Sequence, residues 1–342
     1  MRRTALVVPA AFGALILAAA PAMAEPEVRQ FAAYCTPSDP ELAELSGLAE
    51  VDGVLYAVGD SGTDHRVAVL DASCTVDRWI DVPVDPYDVE DLGSYGGDLW
   101  LSDTGDNRRT RETVALTRMD PSTGAGELHR LVYPDGPHDA ETLLISSDGR
   151  PVVVTKEPSG VSGIYVPEGD TRVDELASPG PTSLKKVGEV AFARTTTPGG
   201  PPFITGSVLA TGGAVSSDGS VAAVRTYTDV YLFPVVDGDV AAALTAEPVV
   251  IAAPARPQGE AVAFTADGAL LLASESAGGP LPPIDQLAGA VFSVQPQQQP
   301  ATESTGAPSS PGGRWSFGAI AVAGVLAVVS VVYAFGLAGR RS

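Results

Sequence analysis

One hairpin, written five times, constrains this chain more than any other feature. The segments are LSGLAEVDGVLYAVGDSG from Leu45, VEDLGSYGGDLWLSDTGD from Val89, AETLLISSDGRPVVVTKE from Ala140, TGGAVSSDGSVAAVRTYT from Thr211 and GEAVAFTADGALLLASES from Gly259. Each has a small or acidic start, a short apolar strand, a glycine-containing turn and a second strand with a polar end. Asp52-Gly53, Asp148-Gly149, Asp218-Gly219 and Asp267-Gly268 are hairpin turns, since both residue types tolerate positive φ; Gly96-Gly97 serves the second copy. A further strand follows each hairpin: HRVAVLD, TVALTRMD, GIYVPEG, DVYLFPVVDG and GAVFSVQ.

Hairpins recurring at intervals of roughly 40 to 50 residues point to propeller blades. The anchors at their starts are Ser46, Glu90, Glu141, Gly212 and Glu260, and only the interval from Glu141 to Gly212 is much longer. It holds Val187 to Ala210, either a degenerate blade or an elaborated outer hairpin. The expected fold is therefore an all-β propeller of five or six blades. A β-sandwich also uses many short strands but does not predict one hairpin at regular intervals. EVRQFAAYC, near the N-terminus, is expected to add a strand to the last blade and close the ring, removing exposed sheet edges.

The two ends have other tasks. Residues 1–24 carry a basic start, an apolar run and a small-x-small end, the pattern of a cleaved signal peptide. Residues 25–294 form the extracellular domain, and residues 295–314, rich in Pro, Gln, Ser and Gly, form a disordered tether. Residues 315–338 read as a transmembrane helix, with an uncharged stretch from Phe317 to Ala338 and Trp315 at the interface. Residues 339–342 are then a basic cytoplasmic tail. The expected location is the cell membrane, single-pass type I, with the N-terminal domain outside.

The chain's net charge is −21, and five of its arginines lie at the ends: Arg2, Arg3, Arg314, Arg340 and Arg341. So acidic a surface disfavours nucleic acid and anionic headgroups, and favours cations or basic partners. Cys35 and Cys74, the only two cysteines, are expected to pair in an oxidising compartment.

ELSGLAE, YDVEDLG, SDTGDNR, DAETLL and QGEAVAFTADG resemble motifs of secreted bacterial β-propellers of the phytase-like or esterase-like kind, and more loosely of YVTN/NHL-type propellers. The resemblance spans most of Glu41 to Glu275. It implies a propeller and, for the phytase-like group, calcium ions beside carboxylates and basic groups. The chain departs from that pattern in having only Lys156, Lys185 and Lys186 as lysines, and no phosphate-binding cluster maps residue by residue.

Aligned anchors bring Glu90, Glu141 and Glu260 to comparable radii around the axis, with Asp88, Asp91 and Asp139 beside them. Two readings stay open: a Ca2+ site of hard oxygen ligands, or glutamates that accept backbone N–H bonds from the neighbouring blade. The hairpin ends place Asp60, Asp103, Asp106, Asn107, Lys156, Glu157, Arg225, Tyr227 and Glu275 on a common rim, a candidate ligand-binding surface. DTGDNR lacks the EF-hand order, and Asx-turn bonding, with Arg108, Arg109 and Arg111 neutralising carboxylates, is its plainer role. No GxSxG, HExxH, P-loop or Rossmann motif occurs. Asp60, Ser61 and His65 lie too close in one loop to form a triad. Two functions remain: a membrane-anchored module binding an unknown protein or small ligand at the cell surface, or a calcium-assisted phosphoester or ester hydrolase.

Overall fold

The computed structural model describes residues 30–60 and 62–294. The expected signal peptide, tether, membrane helix and tail lie outside these residues. Among the described residues no helix is long and apolar enough to cross a membrane.

The chain begins with β1 (Ala32–Cys35) and then runs through antiparallel meanders. The first comprises β2 (Leu45–Val51), β3 (Val54–Gly59), β4 (Arg66–Leu70) and β5 (Val76–Asp81). The second comprises β6 (Asp91–Tyr95), β7 (Asp98–Asp103), β8 (Val114–Met119) and β9 (Gly126–Val132). Next come β10 (Ala140–Ile145), β11 (Pro151–Thr155), β12 (Val161–Pro167) and β13 (Thr182–Ala191). These two meanders join into one eight-stranded sheet through a short parallel contact, Thr182 and Ser183 of β13 against Leu131 and Val132 of β9. The fourth holds β14 (Ala210–Val215), β15 (Val221–Thr226), β16 (Asp229–Pro234) and β17 (Val249–Ala252), with the single-turn α1 (Val240–Ala243) before its last strand. The last holds β18 (Gln258–Phe264), β19 (Leu270–Glu275) and β20 (Ile284–Leu287), and β1 pairs with β20 to complete it.

The first strands touch in sequence, β2 with β6, β6 with β10, β10 with β14 and β14 with β18, and β18 returns to β2. That ring makes the fold a β-propeller. It explains why the strands are apolar on both faces. In β15, Val221 and Ala223 enter one core with Val262, Leu270 and Leu272, whereas Ala222 and Val224 enter the next with Leu144, Val152 and Val154. Similar cores separate the other neighbouring meanders.

Several expectations meet corrections. Val187 to Ala210 forms no sheet of its own: it contains the end of β13, a connection and one 3₁₀ turn at Gly206–Val208. GAVFSVQ supplies no strand within the described residues. IDQL forms β20 instead, and Ala290–Ser293 is a 3₁₀ turn entered through left-handed Gly289. The outer strand comes from β1, so the chain after β20 folds back, and Val291 packs into the adjoining core. Of the five repeated hairpin turns, Asp52-Gly53 and Gly96-Gly97 have positive φ at both residues. The other three tighten earlier, because Ser146, Ser216 and Thr265 donate to Asp148, Asp218 and Asp267, leaving left-handed geometry to the glycine alone.

The ring is secured in two ways. Cys35 in β1 bonds to Cys74 in the turn before β5, linking the last sheet to the first. At the axis, the fully buried Asp91 of β6 accepts N–H bonds from Leu92 (2.9 Å), from Leu143 of β10 (2.8 Å) and from Gly213 of β14 (2.9 Å). Burial pushes its carboxyl up to about 8, and the three N–H donors oppose a further rise.

Asp91→Ala strands the two N–H groups of the neighbouring inner strands. Urea denaturation should then show a loss of about 3 kcal/mol or more, with Asp91→Asn less damaged. Replacing both cysteines by serine should remove roughly 4 kcal/mol by the loop-entropy estimate, read from the same denaturation curves.

Candidate functional site

A β-bulge recurs where each inner strand begins. Pairing slips between Leu45 and Gly47, Ala140 and Thr142, Ala210 and Gly212, and Gly259 and Val262. The bulge re-aims Ser46, Glu141, Thr211 and Glu260. Glu90 has the same place: its N–H bonds to the Ser102 carbonyl (2.9 Å), the residue opposed by Asp91. The fourth anchor is thus Thr211, one residue before the expected Gly212.

These positions divide by chemistry. Ser46 donates to the Glu90 carbonyl (2.8 Å) and Thr211 to the Gly259 carbonyl (2.8 Å), each a tie to the next meander. The acceptors are backbone carbonyls, so the tie needs a donor, and an ionised glutamate has none. Where Glu90 occupies the bulge, Thr104 makes the tie by donating to Ala140 (2.6 Å). The expected glutamate bonds to neighbouring backbone N–H groups are not what links these strands; Asp91 makes that kind of bond. Glu141 Oε2 and Glu260 Oε2 are buried without a hydrogen-bond partner.

Two residues before the bulges stand Glu44, Asp88, Asp139 and Gln258, a second polar layer broken only by Leu209. It joins the glutamates at one mouth of the ring. Glu90, Asp139 and Glu141 each place a carboxylate oxygen within 4.8 Å of the others, and so do Asp60, Asp88 and Glu90. Glu90 belongs to both sets; Glu260 belongs to neither. A Cβ at position 105 would push aside the Glu90 and Asp88 carboxylates, so Gly105 leaves room for them. Asp60 beside Asp88 and Glu44 beside Glu275 each raise the carboxyl they face.

The field follows from this crowding. Burial first, then Glu141, Asp60 and Asp88, push the Glu90 carboxyl well above the usual range, with Lys156 opposing. Glu141 is raised in the same direction by burial, against the pull of Lys156. Burial takes Asp88 up to about 7 and Glu260 and Glu275 up to about 8, aided by neighbouring carboxylates. Lys156 Nζ pairs with Glu141 Oε1 and donates to the Tyr227 hydroxyl (2.8 Å). Burial works against the lysine's charge, but Glu141 and Glu260 outweigh it and raise its pKa. Tyr227 is raised by burial, then by Glu260 and Glu141, and so remains a neutral phenol.

The predicted rim is brought together in part. Asp60, Lys156, Tyr227 and Glu275 stand at the mouth, and Glu275 accepts from Gln258. Asp103 lies just beneath, accepting from the N–H groups of Tyr87 (3.2 Å) and Asp88 (3.0 Å) and pairing with Arg111 (2.8 Å). Asp106 accepts from Arg111 N–H (2.8 Å), and its own N–H donates to Asp139 (2.8 Å). Glu157 is held by Arg109 (2.8 Å), and Asn107 is exposed. Arg225 is not on the rim at all. It is 1% exposed and donates to the Ala261 (2.8 Å) and Ala273 (2.7 Å) carbonyls, tying β15 to β18 and β19. Burial lowers its pKa to about 10. A cavity of about 420 Å³ lies elsewhere, between Arg150, Val166, Lys185 and α1, and another of about 50 Å³ lies among the inner strands.

No family model matches the chain, and no curated protein does. Solved structures similar to it include a glutaminyl cyclase from Myxococcus xanthus, at 13% identity and a TM-score of 0.46 over 75% of this chain and 95% of that one. A PQQ-bound aldose sugar dehydrogenase from Streptomyces coelicolor is similar at 11% identity and a TM-score of 0.41, over 77% of this chain and 99% of its own. A streptogramin B lyase shares 14% identity at a TM-score of 0.36, covering 73% and 67%. Such distant likenesses carry no argument about activity, and the architecture stands on the strand pairing itself.

The raised carboxyls set a pH dependence. With Glu260 and Glu275 near 8 when folded and in the ordinary carboxylate range when unfolded, the folded state holds the extra protons between those limits. In chelator, thermal stability should therefore be greatest toward the acid end of that interval and fall as pH rises through about 8. Glu260→Gln and Glu275→Gln should flatten the profile.

Proposed function

We propose that this chain is an extracellular propeller whose carboxylate mouth binds a divalent cation, Ca2+ in particular, and through it an oxygen-bearing ligand. Each four-stranded meander is read as one blade, giving five. The pattern of residues 1–24 and the uncharged apolar sequence at 315–338 support secretion and a single-pass type I anchor, with residues 295–314 as the tether. The ligand is a small molecule or a protein at the cell surface; the acidity of the chain argues against nucleic acid.

The observation that carries the reading is Glu90, shared between two sets of three carboxylates with ligand atoms within 4.8 Å. All-carboxylate oxygen donors suit a hard cation. So many buried carboxylates are stable together only when protonated or paired with positive charge. The ion would take Glu90, Asp139 and Glu141, with Asp60 and Asp88 completing the second set around Glu90. Its remaining positions would accept a phosphate or carboxylate oxygen that the bare mouth would repel.

Lys156 and Tyr227 favour a second reading. Their hydrogen bond puts a cationic group and a neutral phenol beside the same carboxylates. In a phosphoester hydrolase, the metal would polarise the substrate while these two groups oriented its oxygens.

Calorimetric titration of chelator-stripped protein should show Ca2+ binding and a rise in Tm. Glu90→Gln should abolish both or weaken binding at least tenfold, and Asp139→Asn should weaken it less. Absence of Ca2+ binding in the parent protein would overturn the reading. Turnover of p-nitrophenyl phosphate that disappears with chelator and in Glu90→Gln would select the hydrolase.

A further inference from the structure

The mouth is unevenly charged around the ring. The residues leaving the second strands toward it are Asp60, Thr104, Lys156, Tyr227 and Ser276, and Lys156 is the one cation among them. Its side chain is only 14% exposed. Nζ pairs with Glu141 Oε1, bonds to the Tyr227 hydroxyl and lies 5.0 Å from the centre of that ring. Glu260, at a bulge like Glu90 and Glu141, is absent from both carboxylate sets and has the Lys156 charge as its strongest attraction.

We infer that Lys156 is a built-in cation occupying the Glu141–Glu260 side of the mouth, which confines the divalent ion to the Glu90 side. The inference rests on the cation reading above. Glu141 then serves both halves. Oε1 faces the ammonium, and Oε2, buried without a partner, is left for the metal. Glu260 Oε2 is likewise buried without a hydrogen-bond partner. The Lys156 charge is the strongest attraction acting on it, so removing the ammonium leaves Glu141 Oε1 and the Tyr227 hydroxyl facing a vacated position within the field of Glu260. Oxygen donors of that kind suit a hard divalent cation. Lysine, a single charge on a flexible stem, can satisfy two carboxylates without offering a position to ligand. It therefore determines how many ions the mouth accepts and on which side a bridging ligand sits.

The test counts bound Ca2+ per chain by equilibrium dialysis and elemental analysis, using the full chain in detergent after chelator treatment. Lys156→Ala should bind one more Ca2+ than the parent protein, and Glu260→Gln added to it should remove the extra ion. Glu260→Gln alone should leave the parent count unchanged. An unchanged or lower count in Lys156→Ala overturns the inference, and so does loss of an ion in Glu260→Gln alone. The two proposals fail separately. A parent that binds no Ca2+, with a Lys156→Ala variant that binds one, sinks the cation reading and the confinement, and keeps only the blocking of the Glu141–Glu260 side by Lys156. A parent that binds Ca2+, with no gain in the variant, keeps the cation reading and sinks the blocking. Should Lys156→Ala not fold, the Glu260→Gln count decides alone.

Discussion

Strands that converge on one axis must dispose of the backbone groups that point into it, and the Asp91 carboxylate is how this chain does so. One side chain satisfies N–H groups on β6, β10 and β14, reaching past the neighbouring strand to the one beyond it. Its bonds also separate two environments. One contains the small cavity among Leu48, Leu92, Leu143 and Phe264, and the other is the carboxylate mouth. The tie that stabilises the ring thus borders the acidic cluster at its open end, and Glu141 adds to the upward push that burial gives the Asp91 carboxyl.

The same elements had to serve packing and site together. A strand buried on both faces has no polar face to spare, so functional side chains appear where regular pairing fails. Bulges at Ser46, Glu141, Thr211 and Glu260 provide those places. The residue at each one decides its use: a hydroxyl is spent on a carbonyl of the next meander, whereas a glutamate finds no donor there and faces the mouth. Thr104 stands in for the missing hydroxyl beside Glu90, which shows that the tie and the charge can be separated.

Much of this is legible in the sequence. The repeated hairpins, the closing strand near Cys35 and the pairing of the two cysteines follow from spacing and composition, because blades repeat locally. Bulges do not repeat so visibly. A slip of one residue moved the fourth anchor from Gly212 to Thr211, since a glycine beside a threonine leaves the phase of a strand ambiguous. Arg225 departs from the rim for a related reason. Its position at a strand end resembles a rim residue, but its guanidinium turns inward to two carbonyls of the adjacent meander, where Gly259 leaves space. The layer of Glu44, Asp88, Asp139 and Gln258 carried a signal, an acidic or amide residue two positions before each bulge. It becomes readable only once the bulges are in register.

Charge balance links the remaining pieces. Arg109 and Arg111 are spent on Glu157 and Asp103 at the outer wall, and Arg225 is buried on backbone carbonyls. At the inner mouth the neutralising charge comes from Lys156 and from protons on the raised carboxyls. Protons are the weaker device, because they leave as pH rises toward the raised pKa values, whereas a lysine raised by its acidic neighbours stays charged. On the Lys156 side the ammonium stays charged throughout, and Glu260 adds a negative charge there only as pH rises through about 8. The half around Glu90 has compensation only while it holds protons or a metal ion. An excess of negative charge confined to one side of a ring of equivalent strands is what gives the mouth a direction in which to bind.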